Sequence, residues 1–205
     1  LLTLSRREMR RIWGSEIAMI FQDPMTSLNP MVKVGRQVVE HLRKHNGVGR
    51  REARRTALDL LNEVRIPEAA SRIDRFPHEL SGGMRQRVSI ASALACEPSL
   101  LFADEPTTAL DVTVQHQILN LLSREQRQRN MTMVIVTHDL GVVAGRTDDT
   151  LVMYAGKVVE QASTVEIFDK IRHPYTEALM RSIPRTTQAS HTPLVAITGR
   201  PPVAT

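Results

Sequence analysis

A chain of 205 residues has room for one good-sized α/β domain, or for about one and a half smaller ones. With 41% hydrophobic and 24% charged residues it can bury a core, so a wholly disordered chain is excluded. Its formal charge of +5 is too diluted to demand a nucleic-acid partner, and its single cysteine, Cys96, excludes a disulfide framework, a zinc knuckle or a cysteine-ligated iron–sulfur cluster within the chain and fits a reducing cytosol.

The chain opens on Leu1-Leu2-Thr3-Leu4-Ser5-Arg6-Arg7, which holds no apolar stretch long enough for a signal peptide. No run anywhere approaches the roughly 18–20 apolar residues that span a bilayer. Residue 1 is Leu rather than Met, so a chain that begins inside a longer protein is expected, with an alternative start codon as the other explanation. Ile17 to Phe21 is the first of four short apolar runs; the others are Leu100 to Ala103, Met131 to Val136 and Leu151 to Tyr154. Their length and lack of alternation predict parallel strands covered on both faces. The last continues through Gly156 into Val158-Val159-Glu160 and reads as a hairpin.

Between the first two runs, residues 30–77 carry no strand signal and two helical patterns, Val34 to His45 and Arg51 to Val64, parted by Asn46-Gly47-Val48-Gly49. This is a helical insertion, and the most basic part of the chain: Arg43, Lys44, Arg50, Arg51, Arg54 and Arg55. A solvated helix face explains these charges better than a nucleic-acid surface, because no aromatic is interleaved for base stacking. Further helices are predicted over Met84 to Ala95, Val112 to Arg129 and Tyr175 to Ser182. Strands alternating with helices give an α/β class with a mostly parallel sheet. After Ser182 the prolines Pro184, Pro193, Pro201 and Pro202 predict an extended tail.

Four places carry chemistry. Ser81 stands at an N-cap position, followed by Gly82 and Gly83 and a helix; open first-turn N–H groups at the positive end of the helix dipole form an anion site suited to phosphate. Leu101-Phe102-Ala103-Asp104-Glu105-Pro106 is a strand ending in two carboxylates, where ligands of parallel sheets sit. Asp104 there can hold Mg²⁺ and Glu105 can polarise an attacking water, the two roles that nucleoside triphosphate hydrolysis needs side by side. Val134-Ile135-Val136 leads to His138, able to bond a γ-phosphate or position water. Ile20-Phe21 leads to Gln22, able to ligate Mg²⁺ or hold water without adding charge. Each has a plain structural alternative when taken singly: a loop before a helix, an acidic turn, a structural histidine, an amide satisfying backbone.

In order, Gln22, Leu80-Ser81-Gly82-Gly83-Met84-Arg85-Gln86-Arg87, Phe102-Ala103-Asp104-Glu105-Pro106, Thr107-Thr108-Ala109-Leu110-Asp111 and His138 resemble the ATPase subunit of an ABC transporter over nearly the whole chain. Phe21-Gln22-Asp23-Pro24-Met25-Thr26-Ser27-Leu28-Asn29-Pro30, His173-Pro174-Tyr175-Thr176-Glu177-Ala178-Leu179 and Gly199-Arg200-Pro201-Pro202 resemble its oligopeptide and dipeptide importer branch, features shared with nickel and glutathione importers. The resemblance implies a partial ABC-type P-loop ATPase domain with an inserted α-helical subdomain. It divides the chain into ATPase core to the Q-loop (1–29), helical subdomain with signature (30–92), core with Walker B, D-loop and switch histidine (93–170) and importer-type extension (171–205). It implies ATP and Mg²⁺ as ligands. Glu105, His138 and Gln22 would serve the reaction, and Asp104 and Gln22 the metal. Ser81, Gly82, Gly83, Gln86 and Asp111 would serve the nucleotide, the signature residues from across a dimer interface. It further implies a second ATPase domain, permease subunits, an extracytoplasmic binding protein, no nucleic acid, and a peripheral place on the cytoplasmic face of the membrane.

The departure is the phosphate loop. No G-x-x-x-x-G-K-[ST] occurs; the one Gly-Lys pair is Gly156-Lys157, followed by Val158. The chain by itself is therefore expected to be inactive, a clipped enzyme if the loop lies upstream. A truncated, non-catalytic ABC domain and a soluble ABC-type ATPase acting on nucleic acid are the alternatives. Gly83→Asp is expected to leave folding intact and to damage only dimerisation and turnover.

Overall fold

A computed structural model of the protein describes residues 3–23, 27–108 and 110–182. They fall into two compact units, divided between Val136 and Thr137.

The first unit is built on a three-stranded sheet in the order β1 (Ile17–Ile20), β2 (Leu100–Asp104), β3 (Thr132–Val136), all parallel. Pairing Ile20 with Ala103 and Asp104 with Val136 brings the carboxyl ends of neighbouring strands to one edge. β2 is the most covered, with Leu101 and Ala103 fully buried, as a central strand between two neighbours requires. β3 departs from expectation: Val134 and Val136 are 40% and 50% exposed, so this strand is not covered on both faces.

Helix α1 (Arg6–Ile12) precedes β1 and starts at a capping box, in which Ser5 Oγ accepts from the Glu8 N–H and the Glu8 carboxylate accepts from the Ser5 N–H. The insertion contains α2 (Val34–Asn46) and α3 (Arg50–Glu63), with buried Val34, Val38 and Leu42 on one and Ala53, Ala57, Leu60 and Leu61 on the other. Lys33 offers α2 no side-chain cap; the N–H groups of Val34 and Gly35 instead donate to the carbonyls of Arg75 and Ile73, each at 2.9 Å. Gly35 is required for that approach, since a Cβ there would lie 2.1 Å from Ile73 Cγ1. Gly47 ends α2 in the left-handed region at φ 66°. A short α4 (Ala69–Arg72) and a 3₁₀ turn (Pro77–Glu79) lead to α5 (Gly82–Leu94), and α6 (Val112–Gln128) follows β2. Leu61, Ile90, Leu101, Ile118 and Leu122 are fully buried together with Ile20 in one core beneath the sheet and the insertion.

A buried ionic network ties the insertion to α6. Glu125 is 0% exposed and is held by Arg124 at 2.7 Å and Arg129 at 3.1 Å, while Arg129 also reaches Glu63 at 2.9 Å. Arg124 donates to the Glu63 carbonyl, and Arg87 of α5 bridges the Val64 carbonyl and Gln117, each at 2.8 Å.

The second unit holds α7 (Leu140–Val143), β4 (Asp149–Tyr154), β5 (Lys157–Ser163), α8 (Thr164–Asp169) and α9 (Pro174–Ser182). β4 and β5 pair antiparallel as a separate two-stranded sheet. The hairpin was legible, but Leu151 to Tyr154 does not join the parallel sheet, and Leu151 and Met153 are exposed. Ala155 and Gly156 turn it with positive φ at both positions, 50° and 76°, as a two-residue turn of the I′ kind demands. The His-Pro-Tyr segment is anchored to this hairpin. Glu160 accepts from the N–H groups of Arg172 and His173, and Tyr175 packs on Tyr154 with ring centroids 4.5 Å apart. The extended tail expected after Ser182, with Gly199 to Pro202, lies outside the described residues.

Candidate functional site

β1 and β2 run side by side and stop together, so Gln22 and Glu105 emerge at the same edge of the sheet. The Glu105 N–H donates to the Val136 carbonyl at 2.9 Å, which continues the β2–β3 ladder one residue past the strand. Glu105 then turns into the left-handed region at φ 42°, a conformation that costs a non-glycine residue about 1–2 kcal/mol and that the surrounding bonds must hold. Its carboxylate oxygen Oε2 accepts from Gln22 Nε2 at 2.7 Å and from Thr108 Oγ1 at 2.8 Å. Thr108 also closes the turn by donating its N–H to the Glu105 carbonyl at 3.1 Å. Two expected site residues, 83 positions apart in sequence, are thus bonded to each other. Thr108 was not singled out; the available signal was a hydroxyl three residues after the acid in a turn. Half-buried Asp104 ends β2 opposite Val136.

The second cluster is the start of α5. Ser81 caps the helix as expected, its Oγ accepting from the Met84 N–H at 3.3 Å. Gly82 has room around it: a Cβ there would meet nothing nearer than Leu110 at 4.0 Å. Gly83 does not. A Cβ would lie 2.9 Å from Val114 Cγ1, a short β-branched side chain of α6 that has no flexible end to move. The expectation that Gly83→Asp leaves folding intact is therefore corrected, because this glycine is needed for helix packing. Gln86 is 1% exposed, with Nε2 donating to the Pro106 carbonyl at 2.7 Å, while Ser81 is exposed.

Asp111 is exposed and caps α6 by accepting from the Val114 N–H at 2.9 Å. His138 is exposed in the second unit, two residues past β3 and just ahead of the Asp139 cap of α7.

Among the described residues no three or more His, Cys, Asp or Glu side chains converge as a metal cluster. Asp104 offers a carboxylate and Gln22 an amide oxygen near the carboxyl ends of the paired strands β2 and β1, hard oxygen ligands of the kind that Mg²⁺ takes when phosphate and water complete its shell. For a nucleotide the start of α5 supplies first-turn N–H groups, while the sequence contains no phosphate loop to hold the β- and γ-phosphates from the other side.

A parallel α/β core with a helical insertion, a carboxylate pair at a strand end and a Ser-Gly-Gly helix start defines an ATP-binding cassette. The family model described as ABC transporter matches residues 3–108, and the chain belongs to that family. A second, described as oligopeptide/dipeptide transporter, C-terminal region, matches residues 159–205. The chain is 55% identical over 185 residues to the dipeptide transport ATP-binding protein DppD of Escherichia coli, covering 90% of this chain and 57% of that protein. It is 52% identical over 202 residues to the oligopeptide transport ATP-binding protein OppD of Bacillus subtilis, covering 98% of this chain and 56% of that protein. The chain thus spans 57% and 56% of the length of these two relatives. Among solved structures it resembles the ATP-binding cassette MJ0796 as a post-hydrolysis dimer bound to ADP and Pi, with a TM-score of 0.70 and 32% identity over 79% of this chain and 68% of that one.

Proposed function

We propose that the chain forms part of the ATP-hydrolysing subunit of an ABC importer that takes up oligopeptides or dipeptides. The observation that carries the hydrolytic part is the convergence of Gln22 and Thr108 on Glu105 at the carboxyl edge of the sheet. Glu105 orients the attacking water and receives its proton, and the two hydrogen bonds fix the angle at which its carboxylate is presented. Asp104 and Gln22 hold Mg²⁺, which supplies charge neutralisation on the phosphates. His138 contributes a bond to the γ-phosphate or the water. Ser81, Gly82 and Gly83 face the nucleotide of a second ATPase domain, where their N–H groups and helix dipole stabilise charge developing on phosphate. Asp111, at the start of α6, belongs to the same interface.

The peptide part is supported by the matched C-terminal region and by the relatives' names. In this reading the subunit works peripherally at the cytoplasmic face of the membrane with permease subunits, supplied by an extracytoplasmic binding protein. Among the described residues no helix is long and apolar enough to cross a membrane. The test is ATP turnover by the full-length subunit assembled with its permease in vesicles, with and without a peptide-loaded binding protein. Peptide-dependent stimulation is expected. Stimulation by nickel or glutathione alone would reassign the cargo, and stimulation by RNA alone would contradict the transport reading.

A further inference from the structure

Pro106 follows Glu105 directly, and its carbonyl is the point at which α5 grips the turn carrying that acid. Gln86 sits one turn into α5, 1% exposed, and Nε2 donates to this carbonyl at 2.7 Å across 20 residues of sequence. A carbonyl only accepts, so the amide nitrogen must face it, and the orientation of Gln86 follows from chemistry. Gln86 Oε1 has no hydrogen-bond partner among the described residues, which leaves the Pro106 contact as the side chain's one bond. The turn is also held by the Val136 carbonyl, which accepts from the Glu105 N–H, and by Thr108, which bonds the Glu105 carboxylate.

The helix that makes the contact is rigidly seated. Its buried residues include Val88, Ile90, Ala91 and Leu94, and Arg87 is bonded to Val64 and Gln117. A displacement of its N-terminus at Ser81 therefore reaches Gln86 within about one helical turn, before the helix can bend. Glu105 is at positive φ, a conformation that the bonds around the turn must hold, so a shift of the Pro106 carbonyl acts on a backbone without a relaxed alternative in place.

We infer that Gln86 is a positioning residue, which couples engagement of a nucleotide by Ser81–Gly83 in one site to the orientation of Glu105 in the other site of the same domain. The inference rests on the proposed ATPase reading. Gln86 touches no reacting atom in this scheme; it acts through the Pro106 carbonyl on Glu105.

The test uses the full-length subunit with ATP and Mg²⁺. Gln86→Leu keeps the volume and removes the donor; Gln86→Met, unbranched and more pliant, replaces it if Leu lowers the thermal midpoint. The expected result is a loss in kcat of about tenfold, equivalent to about 1.4 kcal/mol of barrier, with KM and ATP-driven dimerisation within about twofold of wild type. In the Glu105→Gln background the same substitution should have no further effect on residual phosphate release, because its route runs through Glu105. A wild-type kcat in a folded Gln86→Leu or Gln86→Met subunit overturns the inference, as does an additive loss in the Glu105→Gln background. Absence of turnover in the wild-type subunit would instead overturn the ATPase reading itself.

Discussion

Glu105 is presented by hydrogen bonds from two sides, and each can be removed separately. Thr108→Val deletes one donor with little change in volume. A hydrogen bond to a charged group contributes about 1.5–3 kcal/mol, so kcat is expected to fall about tenfold to a hundredfold while ATP affinity is retained; unchanged steady-state kinetics would show that Thr108 does not position the acid. The two glycines of the signature separate in the same way. Gly82→Ala meets only Leu110 at 4.0 Å and should leave the thermal midpoint unchanged while lowering ATP-driven dimerisation. Gly83→Ala forces a contact with Val114 and should cost about 1–3 kcal/mol of stability, read as a lower midpoint. Equal midpoints for the two variants would contradict this division. At this scale the sequence was a good guide to caps, since Ser81 and Asp111 carry short polar side chains just ahead of helical patterns. It was a poor guide to Gln86 and Gly83. Their roles depend on the rotation of α5 against Pro106 and Val114, which no local pattern encodes.

Helices with an apolar stripe were legible to within a residue or two: α2, α3 and α6 begin and end close to where their periodicity does. α1 was missed because its seven residues include four arginines and none is buried; Ser5 and Glu8 three residues on were the available signal. Leu151 to Tyr154 was misassigned to the parallel sheet because a hairpin strand and a buried parallel strand can share one apolar run, and pairing partners lie elsewhere in the chain. α6 also hides a charge on its apolar stripe. Glu125 follows Ile118, Leu121 and Leu122 at helical spacing and is balanced by Arg124 and Arg129. Glu125→Ala would remove a shared partner of Arg124 and Arg129, which are partly exposed and keep bonds to Glu63, and a loss of about 1–3 kcal/mol is expected in chemical denaturation. A loss near zero would mean that solvent reaches the network.

Burial and a hydrogen bond shared with Glu125 push the Glu63 carboxyl above its ordinary value of 4.5, against the pull of Arg129. Burial alone would also raise Glu125, but bonds from Arg124, Glu63 and Arg129 outweigh it and hold that carboxyl low. The two signs differ in consequence. Glu63 adds stability that is full below 4.5 and is lost as pH rises through its raised folded value; Glu125 adds stability present above 4.5 and lost as pH falls through its lowered one. Glu63→Gln mimics the protonated form, so the thermal midpoint of this variant should fall less than that of wild type as pH is raised from 4.5 toward neutrality. Parallel curves would refute the shared-proton arrangement.

For the molecule as a whole, the motifs fixed the family, and the three strands that carry Gln22, Asp104 and the approach to His138 do lie side by side. Residues 1–205 by themselves contain no phosphate loop, and this chain alone is expected to show no Mg²⁺-dependent turnover and weak ATP affinity; turnover at the rate of the full-length subunit would contradict that. The assignment of Glu105 as the residue that receives the water's proton is met most directly by replacing it with Gln in the full-length subunit. An amide keeps the shape and removes the base. ATP turnover, followed together with size-exclusion chromatography in ATP, should fall by at least about a hundredfold while the ATP-bound dimer accumulates. Turnover at the wild-type rate, with no accumulation of dimer, would contradict the role given to Glu105.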